Sequence, residues 1–208
     1  MSIVKLNNRG VRSASAFGSI TGLGSMVFIK KLTASSSSTL SFVHGSSDVV
    51  LDNTYKEYLF TLNNIHPQND EAAFAFNLSI DSGSNYNVTK TSTFLEIYHN
   101  ENDGGTPNIG YGSSHDLAQG TGFQRLSSNQ GNDNDQAGSG YLHLFNPSGT
   151  VGVKHYMSNF SSVYYADYLS NDVCAGYGNT TSAVDAVQFK FESGNIDAGD
   201  ICLYGIAW

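Results

Sequence analysis

The chain has 208 residues, of which 10 are Lys or Arg and 18 are Asp or Glu, giving a formal net charge of −8. Charged residues make up only 13% while aromatics reach 12% alongside 22 glycines, a balance that suits many short strands and tight turns and excludes a wholly disordered chain. The acidic total argues against a general nucleic-acid or anionic-membrane binder, and no run is apolar for long enough to span a bilayer as a helix.

The charge divides sharply at Asp48, the first acid. Lys5, Arg9, Arg12, Lys30 and Lys31 precede it, and every Asp and Glu lies from there onward. Residues 1–25 are polar, broken by Gly10, Gly18, Gly22 and Gly24, and show neither a period of 2 nor one of 3.6. They lack the apolar core of a secretory signal and read as an extended arm. Residues 26–208 read as a single domain of a length that one β-rich unit accommodates.

Strand signals begin at Met26–Leu32, with Ser35–Ser38 as a turn or linker and Thr39–His44 as the returning partner. Glu57–Asn64 places Tyr58, Phe60 and Leu62 on one face, and Ala72–Ile80 does the same with Phe74, Phe76, Leu78 and Ile80, leaving Ala73, Ala75, Asn77 and Ser79 opposite. Both read as half-buried strands. Asp81–Asn87 has the residues of a reversal, so Val88–Tyr98 is expected to return as the second arm of a hairpin. Residues 100–114 and 129–137 are dense in Asn, Asp and Gly and read as long loops at one end of the sheets. Gly138–Asn146, Val151–Ser158, Asp185–Ser193 and Asp200–Ala207 supply further strands. Of these, Asp185–Ser193 is amphipathic and expected at an outer position, while Ile201–Ala207 is apolar on both sides and expected inside. No amphipathic helix emerges. The expected fold is all-β, an antiparallel two-sheet β-sandwich of jelly-roll type behind the N-terminal arm.

Catalytic constellations are sparse. No Ser lies in a nucleophile elbow, and His66, His99 and His143 read as loop or strand residues. Glu96 or Asp116 with Asp185 would be the carboxylate pair of a polysaccharide-cleaving site, although nothing in the spacing brings them together. Asp133 with Asp135, and Glu101 with Asp103, offer hard oxygen ligands, yet neither fits a twelve-residue calcium loop, and turn chemistry accounts for both. No catalytic residue, metal site or cofactor is assigned. Cys174 and Cys202 belong to no metal-spaced cluster; two buried free thiols are the simpler expectation, a bridge between them the alternative. The segment Phe160–Leu169 is rich in Tyr, and Tyr156, Tyr164, Tyr165 and Tyr168, with the single Trp208, are candidates for core, subunit interface or contact with a glycan.

Stretches distributed over nearly the whole chain resemble a family of virion proteins from tailed phages of marine bacteria, including cyanophages and pelagiphages. They are GLGSMVFIKKLTASS (22–36), NYNVTKT (85–91), GNDNDQ (131–136), LHLFNP (142–147), GYGNTTSAV (176–184) and SGNIDAGDICLYG (193–205). The resemblance implies an exterior structural protein, part of a tail fibre or a decoration subunit of the capsid, assembled in the host bacterial cytoplasm and working as a symmetric homo-oligomer such as a trimer. On that reading the arm anchors the subunit to other virion proteins. Lys5, Arg9 and Arg12 would meet acidic groups, while Val4, Leu6, Val11 and Phe17 supply apolar burial. Alternatives are a receptor- or glycan-binding module of the adsorption apparatus and, behind it, an enzyme that trims host polysaccharide.

Overall fold

The computed structural model describes residues 26–207. The arm residues Val4, Leu6, Lys5, Arg9, Arg12 and Phe17, and Trp208 at the far end, lie outside that range. Twelve strands follow in order: β1 (Met26–Ser37), β2 (Leu40–Val43), β3 (Glu57–Pro67), β4 (Ala72–Ser79), β5 (Lys90–Asn100), β6 (Asn108–Tyr111), β7 (Gln124–Gln130), β8 (Gly138–Phe145), β9 (Lys154–Tyr164), β10 (Tyr168–Gly178), β11 (Ala186–Phe191) and β12 (Ile196–Ile206). There is no helix among the described residues. The all-β, antiparallel character expected from the sequence holds.

The strands form one connected antiparallel sheet made of two runs. The longer is β1-β12-β3-β8-β9-β10-β5-β6, and the shorter is β7-β4-β11-β2. A single pair, Gln130 with Tyr164, joins β7 to the end of β9. The sheet curls so that the runs face each other across a common core. Phe42 and Phe189 of the shorter run meet Phe60 of the longer at 5.3 and 5.4 Å between ring centroids. Phe74 stacks on Phe160 at 5.8 Å, and Phe76 meets Tyr156 edge-on at 5.0 Å. All these side chains are buried. Each large apolar side chain removed from water contributes about 1.5–3 kcal/mol, so this aromatic layer is the main stabilising feature.

Several local expectations are corrected. β1 does not stop at the serines: Ser35 pairs with Ala198 and Ser37 with Ile196, because a serine backbone joins a ladder as readily as any other, and the chain turns only after Ser37. β2 pairs with β11 and not with β1, which places Phe42 beneath Phe60. β4 is buried on both faces, not one. Asn77 Nδ2 donates to the carbonyls of Tyr86 and Thr121, and the Phe74 N–H donates to Ser127 Oγ, so covering segments satisfy polar groups that would otherwise require water. Ile80 lies beyond the strand and is 43% exposed.

The reversal at 81–87 exists, with Ser84 N–H donating to Asp81 O, but it does not close a hairpin. β5 crosses to the longer run, where it pairs with β10 and β6. Residues 100–114 are not wholly loop, since β6 returns along β5. β11 is an internal strand between β4 and β2, so its expected outer position does not hold; β12 lies between β1 and β3, an inner position as expected, although its Cys202, Tyr204 and Ile206 face is only half-covered. The Tyr-rich segment is the β9–β10 hairpin. Its turn at 165–167 is closed by Asp167 N–H donating to Tyr164 O, with Asp167 in the left-handed region at φ 59°.

Candidate functional site

The inner face of the longer run changes character along β5, β9 and β10. Alternation points Phe94, Glu96 and Tyr98 of β5 inward, beside Cys174, Asp172, Ser170 and Tyr168 of β10. Moving along the strands, the surface passes from the apolar core through two carboxylates to a tyrosine rim. At that rim a cleft of about 410 Å³ opens, lined by Glu96, Tyr98, Ser128, Tyr164, Tyr165 and Tyr168 among others.

The structure thus gathers three of the tyrosines singled out from the sequence. Tyr164 and Tyr165 rings lie 4.5 Å apart, Tyr164 meets Tyr168 at 5.9 Å, and Tyr168 meets Tyr98 at 6.0 Å. Tyr98 and Tyr165 are 37% and 36% exposed, so ring surface is available to a ligand. Burial, reinforced by the neighbouring Tyr165 hydroxyl, pushes the Tyr164 phenol up to about 12. Tyr156 does not join them. It is buried in the core against Phe76, and it reaches only the floor of a second, shallower groove of about 470 Å³ on the outward face, beside Met157, His155 and Tyr177. Desolvation drives its phenol well above the ordinary range, so Tyr156 is a packing residue and not a contact surface.

Behind the cleft lies a carboxylate pair that sequence reasoning missed. Glu96 and Asp172 are cross-strand partners, and Ser128 of β7 sits between them. Ser128 Oγ is 2.9 Å from Glu96 Oε1 and 3.0 Å from Asp172 Oδ1, and the Ser128 N–H donates to Asp172 Oδ2 at 2.6 Å. Ser170 Oγ adds a bond to Asp172 Oδ1 at 3.1 Å. A serine hydroxyl has one proton and cannot donate to both carboxylates at once; both contacts are favourable when Asp172 is protonated. Burial is the chief cause that raises the Asp172 carboxyl to about 6, with the Glu96 charge acting in the same direction against the hydrogen bonds.

His115 completes the cluster. Its Nδ1 is 2.8 Å from Glu96 Oε1 and its ring packs edge-on against Phe94 at 5.2 Å. Burial, and then the Arg125 guanidinium, lowers its pKa below the ordinary imidazole value, with Glu96 opposing. Asp172 is fully buried, whereas Glu96 carries 26% of its side-chain surface into the cleft. One carboxylate therefore meets the cleft while the other braces Ser128 from behind. Such an arrangement can accept hydrogen bonds from a ligand and fix the floor that receives it.

The pairings imagined from the sequence are not formed. Asp185 accepts the Ser82 N–H at 3.0 Å in a turn far along the chain from Glu96, and Asp116 accepts the Tyr111 hydroxyl at 2.5 Å. Asp133, Asp135, Glu101 and Asp103 occupy turns, with Gln136 N–H donating to Asp133 O and Asp103 N–H to Asn100 O. His66 reaches the Asp133 carbonyl, His99 lies near Asp103, and His143 lies 2.8 Å from Glu57. Among the described residues no three His, Cys, Asp or Glu side chains converge as a metal-binding group. Cys174 and Cys202 are both free, but only Cys174 is buried as the simpler reading had it; Cys202 is partly exposed. Signals for the missed pair were present in the alternation Ser170, Asp172, Cys174 of a strand not recognised as one; an acid at an inward position of an otherwise small-residue strand marks a satisfied buried charge.

In comparisons with known proteins, no family model matches this chain, and neither a curated protein nor a solved structure matches it.

Proposed function

We propose that the chain is a non-enzymatic virion structural protein of a tailed phage, an exterior tail-fibre or capsid-decoration subunit that joins other virion proteins through residues 1–25. The strand order supports this. β1-β12-β3-β8 and β2-β11-β4-β7 follow the four-plus-four order of two interlocked Greek keys, with two inserted pairs, β5–β6 and β9–β10, continuing the first group. That order is the jelly roll, a two-sheet sandwich used by viral capsid and lectin domains, and the proposal reads this fold as such.

The observation that supports the structural role is the outward face of the inserted strands and the adjoining β8. Leu95, Ile109, Tyr111, Tyr141, Met157 and Leu169 are each between 41% and 71% exposed. The register sets Leu95, Val173, Asn159 and Tyr141 side by side across four strands. A face with exposed apolar residues of this kind, interrupted here by Asn159, is what neighbouring subunits cover in a homo-oligomer, a trimer included, or on the surface of a particle. A basic leader ahead of an acidic body adds an anchoring segment complementary to acidic partners.

The test is to locate the polypeptide in density of intact particles and to assemble particles with a chain lacking residues 1–25. Loss of incorporation with a folded body is expected. Full occupancy by the truncated chain would refute the anchoring role.

The tyrosine cleft favours a second reading, in which the same subunit is a receptor- or glycan-binding module of the adsorption apparatus. Here Tyr98, Tyr164, Tyr165 and Tyr168 would contact the host surface, and adsorption of the isolated body to host cells is the corresponding measurement.

A further inference from the structure

We infer that the cleft between β5, β7 and the β9–β10 turn binds a saccharide that carries no acidic group, held by the tyrosine rings and by hydrogen bonds donated to Glu96. This rests on the second reading above and fixes the chemical class that reading leaves open.

Three features converge on it. Size comes first: about 410 Å³ lies within the roughly 300–1,000 Å³ of small-ligand sites and leaves room for a sugar ring. The second feature is the wall. A pyranose has an apolar C–H face bordered by hydroxyls, and a tyrosine presents an apolar ring with a polar tip, so each part of the sugar finds a counterpart. Tyr98 and Tyr165 offer exposed rings at the rim, while contacts among Tyr98, Tyr168, Tyr164 and Tyr165 hold them in place before any ligand arrives.

Charge decides the class of sugar. Glu96 is the single charged residue of the lining among the described residues, and Asp172 stands directly behind Ser128. Among the described residues no Lys or Arg lines the cleft. Arg125 is engaged by Glu192 at 2.9 and 2.6 Å, and Lys90 and Lys154 are buried. A uronate or sialic acid would bring a carboxylate against Glu96 with no cation to offset it. A neutral sugar donates hydroxyl hydrogens to Glu96, and an amino sugar donates an ammonium. Glu96 Oε1 already receives Ser128 Oγ, whereas Oε2 accepts no hydrogen bond among the described residues and is the acceptor left for the ligand.

The experiment is calorimetric titration of the full 208-residue protein with three trisaccharides: a neutral glucose trimer, its glucosamine counterpart with free amines, and a galacturonate trimer. Binding of the neutral and amino trimers is expected, with the galacturonate trimer at least tenfold weaker. Tyr165→Ala, at an exposed rim position, should weaken the neutral trimer at least tenfold. Glu96→Gln should narrow the gap between neutral and acidic trimers while the protein stays folded. Equal or tighter binding of the galacturonate trimer overturns the inference and leaves the receptor reading standing. If none of the three binds, the inference falls; absence of host-cell adsorption as well would remove the second reading with it. Neither outcome touches the structural role, which the particle density decides.

Discussion

Two buried ionisable groups make an unusual stability profile against pH. Asp172 rises from 3.8 to about 6 and Lys90 falls from 10.5 to about 7, each chiefly because burial penalises its charged form. Lys90 is fully buried and donates from Nζ to Asn77 Oδ1 and, at 2.7 Å, to Val88 O, with no carboxylate among these partners. Between about pH 4 and 6 the native chain keeps a proton on Asp172 that the unfolded chain has released, so stability falls as pH rises. At 1.36 kcal/mol per pH unit this amounts to about 3 kcal/mol. Above pH 7 the sign reverses: the unfolded chain holds a proton on Lys90 that the native chain has shed, and stability climbs. By pH 9 the Lys90 contribution is again about 3 kcal/mol, offset in part by Cys174, whose buried thiol keeps a proton that the unfolded thiol begins to release at about pH 8.5. Lys154, lowered by burial, adds to the alkaline limb; His115, also lowered by burial, opposes the acid one because its unfolded imidazole protonates first. The expected curve has its minimum near pH 6–7, where many proteins have their maximum. Urea-midpoint measurements from pH 4.5 to 9 check it, with Asp172→Asn flattening the acid limb and Lys90→Met the alkaline one. A wild-type midpoint that does not rise between pH 7 and 9, or a Lys90→Met variant that keeps the rise, would refute the reasoning.

Phe76→Asp places an unpaired charge between Tyr156 and Phe189, at 5.0 and 6.4 Å in the aromatic layer, and a loss above about 4 kcal/mol should abolish the cooperative thermal transition seen by circular dichroism. Gly140→Ala sets a Cβ against the Asn159 carbonyl and 2.7 Å from Phe160 Cα, both backbone, so β8 and β9 must separate; a loss of about 2–4 kcal/mol in a denaturant melt is expected, against near neutrality for an alanine at open Gly122. Cys174 is buried with its thiol raised to about 12 by desolvation, while Cys202 is partly exposed, so iodoacetamide followed by intact-mass measurement should label one site in the native protein and two after unfolding.

The alternating runs were readable because they satisfy a single face. Tyr58, Phe60 and Leu62, or Val187, Phe189 and Phe191, announce a strand whatever lies beside it. Which strands pair is a different matter. Thr39–His44 and Val88–Tyr98 follow their presumed partners closely in sequence, yet both cross to the opposite run, because burying Phe42 under Phe60 and Phe94 beneath the 112–117 segment outweighs local hairpin closure. β7 and β10 escaped notice because most of their inward residues are polar, Gln124, Ser128 and Gln130 beside Leu126 in one, Ser170 and Asp172 beside Cys174 in the other. Tyr164, Tyr165 and Tyr168 could be named in advance, since they are close in the chain, whereas Tyr98 joins them only through the pairing of β5 with β10. The floor of the cleft could not, because Glu96, Ser128 and Asp172 are brought together by pairings that no local pattern encodes.

Those polar strands also explain why the cleft lies where it does. The longer run extends past the shorter through β10, β5 and β6, so its inner face there meets β7 and the 112–123 segment where the rest of the run meets a second laddered face. Phe94 O accepts Gly112 N–H, Ser92 Oγ accepts Leu117 N–H at 2.9 Å, and Lys90 exchanges two backbone bonds with Gly120. Gln124 bridges the two sides, with its Oε1 accepting Ser92 Oγ at 2.6 Å and its Nε2 donating to His115 O at 2.9 Å. A cover attached through its backbone delivers donors and acceptors to the interior, and the strands beneath must answer in kind with Ser92, Gln124, Ser128 and Asp172 in place of aromatic rings. Where the cover ends, beyond Glu96, the same polar floor continues into the cleft, and the tyrosines of the β9–β10 turn rise beside it. The cleft and the buried titratable groups therefore share one cause: two insertions that lengthen one run of strands and leave the other unable to match it.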